Sequence, residues 1–129
     1  MVVDTSALLA VLLNEGDAGK FLNVMLAAEQ VKISAASAVE LGMLAISRIG
    51  ADAEKEIVLL LARIDAEIMP VDAAQVVFAW SAFRTYGKGR NRARLNFGDC
   101  FPYALCKTLN EPLLYKGGDF ARTDVAAAV

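Results

Sequence analysis

Short apolar runs alternate along this chain with longer stretches in which apolar residues return every three or four positions, the pattern of strands alternating with amphipathic helices. Residues 1–4 predict a first strand, followed by helical stretches near 6–13 and 17–29. Val31 to Ser34 predicts a second strand and 36–49 a further helix. Between Ala51 and Asp65, one helical face carries Ile57, Leu60, Leu61 and Ile64; between 72 and 85, one face carries Ala73, Val76, Val77, Trp80 and Phe83. Glu67 to Val71 lies between them as a strand, and Pro70 suits it to a sheet edge, because proline donates nothing to a ladder. Asp99 opens a helix to about Leu109, with Pro102 tolerated in the first turn. Pro112 to Tyr115 predicts a late strand, and Gly117-Gly118-Asp119 a turn. This order predicts an α/β fold around a mostly parallel sheet. Trp80, Phe83 and Phe78 are assigned to the core or to a dimer interface, and the apolar helices at 17–28 and 57–64 to the core first, with a partner surface as the second reading.

The chain has 129 residues, enough for a real core and too few for two ordinary domains, so a single domain over 1–129 is expected. Apolar residues make up 57%, yet charges such as Asp4, Glu40 and Asp65 break every long apolar stretch before it reaches membrane-span length. The N-terminus has no basic region or small-residue cleavage site, which predicts a cytoplasmic protein without membrane association. Cys100 and Cys106 lie six apart, matching neither a metal-binding pair nor a redox Cys-x-x-Cys, and read as buried free thiols.

A net charge of −2 does not by itself announce a nucleic-acid binder. Its distribution changes the picture. Five of the 13 basic residues and none of the 15 acidic ones fall within 84–94: Arg84, Lys88, Arg90, Arg92 and Arg94, interleaved with Gly87, Gly89, Asn91 and Tyr86. Such a loop can follow a phosphate backbone, and Tyr86 can stack on an unpaired base. The competing reading is a solvated surface loop.

Asp4, Glu40 and Asp99 stand among apolar or small residues, and the chain has no histidine to share their work. Asp4 ends a strand, Glu40 follows one on a helix, Asp99 begins a helix and Asp119 follows a strand. The carboxyl ends of strands in an open parallel sheet line one edge, so these acids can meet there. Carboxylates gathered in an apolar neighbourhood call for a shared cation, with Mg²⁺ or Mn²⁺ the first choice. Each has a plainer reading. Asp4 can cap the next helix, as can Thr5 and Ser6; Asp99 can cap its own helix; Glu40, set among Ala36, Met43 and Leu44, can pair with Arg48 or Arg63; Asp119 and Asp124 can be solvated turn acids. Without histidine, two-histidine ribonucleases, histidine-ligated zinc hydrolases and Ser-His-Asp hydrolases are excluded, whereas metal-assisted phosphoryl chemistry is not. No phosphate-binding glycine loop of the nucleotide-triphosphate or dinucleotide kind is present.

Met1-Val2-Val3-Asp4-Thr5-Ser6-Ala7-Leu8, Val39-Glu40, Tyr86-Gly87-Lys88-Gly89-Arg90, Leu95-Asn96-Phe97-Gly98-Asp99-Cys100-Phe101 and the run from Leu113 to Asp124 together resemble a PIN-domain ribonuclease of the VapC family, the toxin half of a type II toxin–antitoxin pair. The resemblance spans essentially the whole chain. It implies a PIN-like α/β/α sandwich with a central, mostly parallel sheet, and an Mg²⁺- or Mn²⁺-dependent endoribonuclease with Asp4, Glu40 and Asp99 as its acids. It also implies a homodimer inhibited by a small antitoxin whose C-terminal segment wraps the toxin. Many PIN domains place a fourth acid a few residues before the position of Phe120, where this chain has Lys116 and Gly117; Asp119 is the nearest acid and Asp124 the second choice.

On both lines of reasoning, Asp4 and Asp99 would bind the metal, Glu40 would orient a metal-activated water or take its proton, and Asp119 would hold a water or a second cation. Thr5 and Ser6 are secondary candidates as donors to carboxylate or phosphate oxygens. The expected products carry a 5′-phosphate and a 3′-hydroxyl. The alternatives are a non-catalytic PIN module binding RNA or a protein partner, and a nuclease serving RNA maturation.

Overall fold

A computed structural model describes residues 1–129. Four parallel strands, β1 (Val2–Val3), β2 (Val31–Ser34), β3 (Ala66–Met69) and β4 (Leu113–Leu114), lie in the order β3-β2-β1-β4. Val2 stands opposite Lys32 on one side and Leu113 on the other, which fixes the register of β2, β1 and β4. Strand side chains alternate between faces, and both faces here are buried. Val3, Val31, Ile33 and Leu114 enter one core, whereas Val2 and Leu113 enter a second.

Six helices cover the sheet: α1 (Thr5–Leu12), α2 (Ala18–Ala27), α3 (Ala35–Ile49), α4 (Ala53–Arg63), α5 (Ala73–Tyr86) and α6 (Cys100–Leu109). The first core takes Leu8 from α1, Phe21 and Met25 from α2, Leu41 from α3 and Leu60 from α4, together with Ile64 just beyond it. The second takes Ala82 from α5 and Cys100, Tyr103, Leu105 and Cys106 from α6, closed by Ala93, Leu95 and Phe120. The result is an α/β/α arrangement, and every predicted strand and helix forms within about two residues of its expected bounds. β3 lies at the edge as Pro70 suggests, although it spans Ala66–Met69 and ends before the proline.

Of the two readings of the α5 apolar face, core or dimer interface, the core one does not hold. Trp80 is 67% exposed, and Val76, Val77 and Phe83 are exposed with it. Helical periodicity identifies residues that share a face; it does not say which side the protein covers. The surroundings of Glu40 differ from expectation in the same way, since Val39, Met43, Leu44 and Ile46 on α3 are all exposed.

Candidate functional site at the carboxyl edge of the sheet

The carboxyl end of β1 delivers Asp4, whose backbone N–H still bonds Leu114 O at 2.9 Å and so is held by the sheet. Only 6% of Asp4 is exposed. Its Oδ2 accepts hydrogen bonds from Ser6 N at 3.0 Å and Ser6 Oγ at 2.5 Å, so the helix-capping reading is realised. Capping does not supply a counter-charge. Burial raises the Asp4 pKa against these hydrogen bonds, and Glu40 raises it further. Ser6 Oγ also accepts from Lys116 N at 2.9 Å, locking the segment after β4 onto the start of α1. The Lys116 ammonium points elsewhere, to Glu15 and to Asp17 at 3.0 Å, and leaves Asp4 unpaired. Thr5 is buried, and its hydroxyl donates to Ser37 O at 3.2 Å, joining α1 to α3.

Asp99 occupies the N-cap position of α6, but its carboxylate makes no capping bond. Instead Asn96 N donates to Asp99 Oδ2 at 2.9 Å, and Asp99 N donates to Asn96 Oδ1 at 3.0 Å. This reciprocal clamp aims the carboxylate away from its own helix. Burial pushes the Asp99 pKa up to about 6; the Asn96 bond opposes the rise, while Asp4, Asp119 and Glu40 add to it. Glu40, half-buried in the second turn of α3, rests its Oε2 against the backbone of Gly98. Asp119 is exposed at the start of a short 3-10 turn.

Thus the four acids converge electrostatically, and none of them takes part in an ion pair. The pairing of Glu40 with Arg48 or Arg63 does not occur. No group of three or more acidic or thiol side chains closes into an all-protein metal cage. The donor set consists of hard oxygens: the nearby Cys100 thiol donates to Asn96 O at 3.3 Å, and burial and Asp99 raise its pKa. Burial likewise pushes Cys106 up to about 12. Both thiols are free and buried.

Asp124 lies outside this cluster. It accepts from Tyr103 Oη and from Lys107 Nζ, each at 2.8 Å, and the Lys107 bond lowers its pKa. It therefore already has a cation, whereas Asp119 has none.

Of the basic residues, Lys88, Arg90, Arg92 and Arg94 line an open groove that has no apolar lining residue. Arg84 lines the adjoining apolar groove between α5 and α6 with Trp80, Phe83, Phe97 and Phe101, and Arg90 borders both grooves, its guanidinium 5.4 Å from the Phe83 ring centroid. Tyr86 is half-buried against the Tyr103 ring, with centroids 6.0 Å apart, rather than presented as a free stacking surface. Arg122 joins the basic groove, donating to Arg92 O at 2.8 Å. Its distance from the loop in sequence hid it. Asn96 and Gly98 were likewise not distinguished from the motif around Asp99, although a short polar residue and a glycine flanking an acid are a readable sign of a turn built around it.

A four-stranded parallel sheet with acids carrying no ion pair at its carboxyl edge is an α/β arrangement, and the PIN domain family model matches residues 1–126. The chain belongs to the PIN-domain family, and within it to the VapC ribonucleases. It is 45% identical over 127 residues to the VapC ribonuclease Mb0640 of Mycobacterium bovis, covering 98% of this chain and 96% of that one. It is 48% identical over 128 residues to a ribonuclease VapC of Mycolicibacterium smegmatis, covering 98% of each. The solved structure of Mycobacterium tuberculosis VapC20, described as a sarcin-ricin loop cleaving toxin, superposes with a TM-score of 0.76 at 19% identity, covering 97% of this chain and 95% of that one. That likeness speaks for the fold alone. No helix is long and apolar enough to cross a membrane.

Proposed function

We propose that this protein is an Mg²⁺-dependent endoribonuclease, with Mn²⁺ as substitute, acting in the cytoplasm as the toxin of a type II toxin–antitoxin pair. The observation that carries the reading is the set of four acids at one sheet edge with no basic side chain among them. Asp4 and Asp99 would hold the metal. When bound, the ion supplies Lewis acidity to the scissile phosphate and lowers the pKa of a coordinated water. Glu40 would orient the attacking water and take its proton. Asp119 would hold a further water or a second cation. Attack at phosphorus breaks the bond to the 3′ oxygen, leaving a 5′-phosphate and a 3′-hydroxyl. The 2′-hydroxyl is not the nucleophile, in keeping with the lack of histidine for a two-histidine mechanism.

The groove of Lys88, Arg90, Arg92, Arg94 and Arg122 would track the RNA backbone, giving affinity without base readout. Arg84, on the adjoining groove that Arg90 also lines, would act at its margin. Two partners complete the reading: a cognate antitoxin, implied by the VapC relatives, and a second copy of this chain. The exposed apolar face of α5 supports the homodimer, because a patch containing Trp80 and Phe83 is the kind that association buries. No observation favours the non-catalytic or RNA-maturation alternatives.

Purified, antitoxin-free protein incubated with total cellular RNA and Mg²⁺ or Mn²⁺ tests this, with new 5′ ends mapped by sequencing. Discrete metal-dependent cuts that vanish in Asp4→Asn and Asp99→Asn are expected. Identical RNA patterns from folded wild type and variants would overturn it.

A further inference from the structure

Gly98 has no side chain, and the space a side chain would fill is taken by a carboxylate from another helix. A Cβ built on Gly98 falls inside contact distance of Glu40 Oε2, lies 3.1 Å from Glu40 Cδ, and sits 3.4 Å from Asn96 Oδ1. The glycine is not there for its backbone, since Gly98 is absent from the residues of positive φ, so alanine fits its conformation without strain. The obstruction concerns only the tip of a flexible side chain, in contrast to Gly87, where the added atom would strike the Phe83 carbonyl of the main chain. Gly98 is also clamped in place: Asn96 and Asp99 exchange hydrogen bonds across it, at 2.9 and 3.0 Å. The turn that aims Asp99 therefore also forms the seat on which Glu40 rests.

We infer that Gly98 is a positioning residue, whose missing side chain sets the reach of the Glu40 carboxylate toward Asp99 and the attacking water. This rests on the ribonuclease reading of the site. Any side chain at position 98 pushes Glu40 off its seat while leaving Asp4 and Asp99 where they are. A misplacement of roughly 1 Å in a group that orients a reactant costs about 10²-fold in rate, with little effect on substrate binding.

The test compares Gly98→Ala, Glu40→Asp, Glu40→Ala, Glu40→Gln and the doubles Gly98→Ala/Glu40→Asp and Gly98→Ala/Glu40→Ala. It measures RNA cleavage, melting temperature and crystal structure. Gly98→Ala should lower kcat about 10²-fold with KM nearly unchanged. It should melt with wild type, and its crystal structure should show the Glu40 carboxylate displaced. Because aspartate is one methylene shorter, the cost of Glu40→Asp should shrink at least about tenfold in the Gly98→Ala background, the non-additivity expected of two groups in contact. Wild-type cleavage by Gly98→Ala, or losses that simply multiply, would overturn the inference. If Gly98→Ala alone does not fold, the double with Glu40→Ala, which lacks the obstructing carboxylate, must melt like Glu40→Ala; a destabilised double would show that glycine is needed for the backbone instead. Should Glu40→Gln cleave at the wild-type rate, the site assignment itself fails. That outcome is distinct from an active Gly98→Ala beside an inactive Glu40→Gln.

Discussion

The two ends of the central strands treat acids in opposite ways. At the amino end, Glu111, just before β4, forms ion pairs with Lys32 and with the Met1 amino group, the latter at 2.8 Å. Burial alone would raise the Glu111 pKa, but hydrogen bonds from both cations outweigh it and hold the carboxyl below its ordinary value. At the carboxyl end, Asp4 is buried and Asp99 half-buried, both hydrogen-bonded only by neutral donors, and both pKa values rise. The acid at the amino end has cations beside it and the acids at the carboxyl end have none, a difference that would separate a structural acid from one able to take a cation. Lys116 makes the contrast sharper: its backbone joins the carboxyl-end site through Ser6 while its charge is spent on Glu15 and Asp17.

Removing acids from the two ends should therefore have different consequences. Asp99→Asn should cut RNA cleavage by about 10²–10³-fold, the scale of deleting a preorganised electrostatic group, while the metal-free protein becomes no less stable. Glu111→Gln should leave cleavage rates intact and cost about 1–2 kcal/mol in denaturant unfolding, between the values for exposed and buried pairs, because Lys32 loses its partner in a half-buried setting. An inactive Glu111→Gln protein of normal stability would break the comparison.

The ends should also respond oppositely to pH. Asp99 titrates at about 6 in the folded chain against an ordinary 3.8, so its contribution to stability is fully present below about 3.8 and is lost as pH rises through 6. Glu111, with a lowered pKa, contributes stability above its ordinary 4.5 that is lost as pH falls through its folded value. Melting temperatures of metal-free protein between pH 4 and 7 should show the loss of the Asp99 contribution as a decline with rising pH. The decline should flatten in Asp99→Asn and reverse with saturating Mg²⁺, which binds only the ionised carboxylates. A pH slope unchanged by Asp99→Asn would remove Asp99 as its source. The smallest effect belongs to Asp124→Asn. It should lose at most about 1 kcal/mol with the exposed Lys107 pair and keep cleavage within about twofold of wild type.

Much of this was legible in the sequence because strand and helix periods are local. β2, α3 and α6 fall within a residue or so of their apolar patterns, and Asp4 and Asp99 announce themselves as charges at element ends. What surrounds a face is not local. The stripe of Val76, Trp80 and Phe83 has the same period whether it packs on a sheet or faces outward, and only the fold shows that it faces outward. The choice between Asp119 and Asp124 was hidden for the same reason. Asp124 is claimed by Tyr103 and Lys107, one helical turn apart on α6, a pairing that depends on how the C-terminal segment crosses that helix. Arg122 is an isolated basic residue in sequence and becomes part of a groove only when its segment meets Arg92.

The most direct measurement is a calorimetric titration of Mn²⁺ into the purified metal-free protein, run beside Asp4→Asn and Glu111→Gln. Wild type and Glu111→Gln should bind alike, with affinity falling by at least about tenfold in Asp4→Asn, the scale of disturbing a metal site. Absence of binding to wild type, or equal binding by Asp4→Asn, would contradict the claim that the unpaired acids at the carboxyl edge are a metal site.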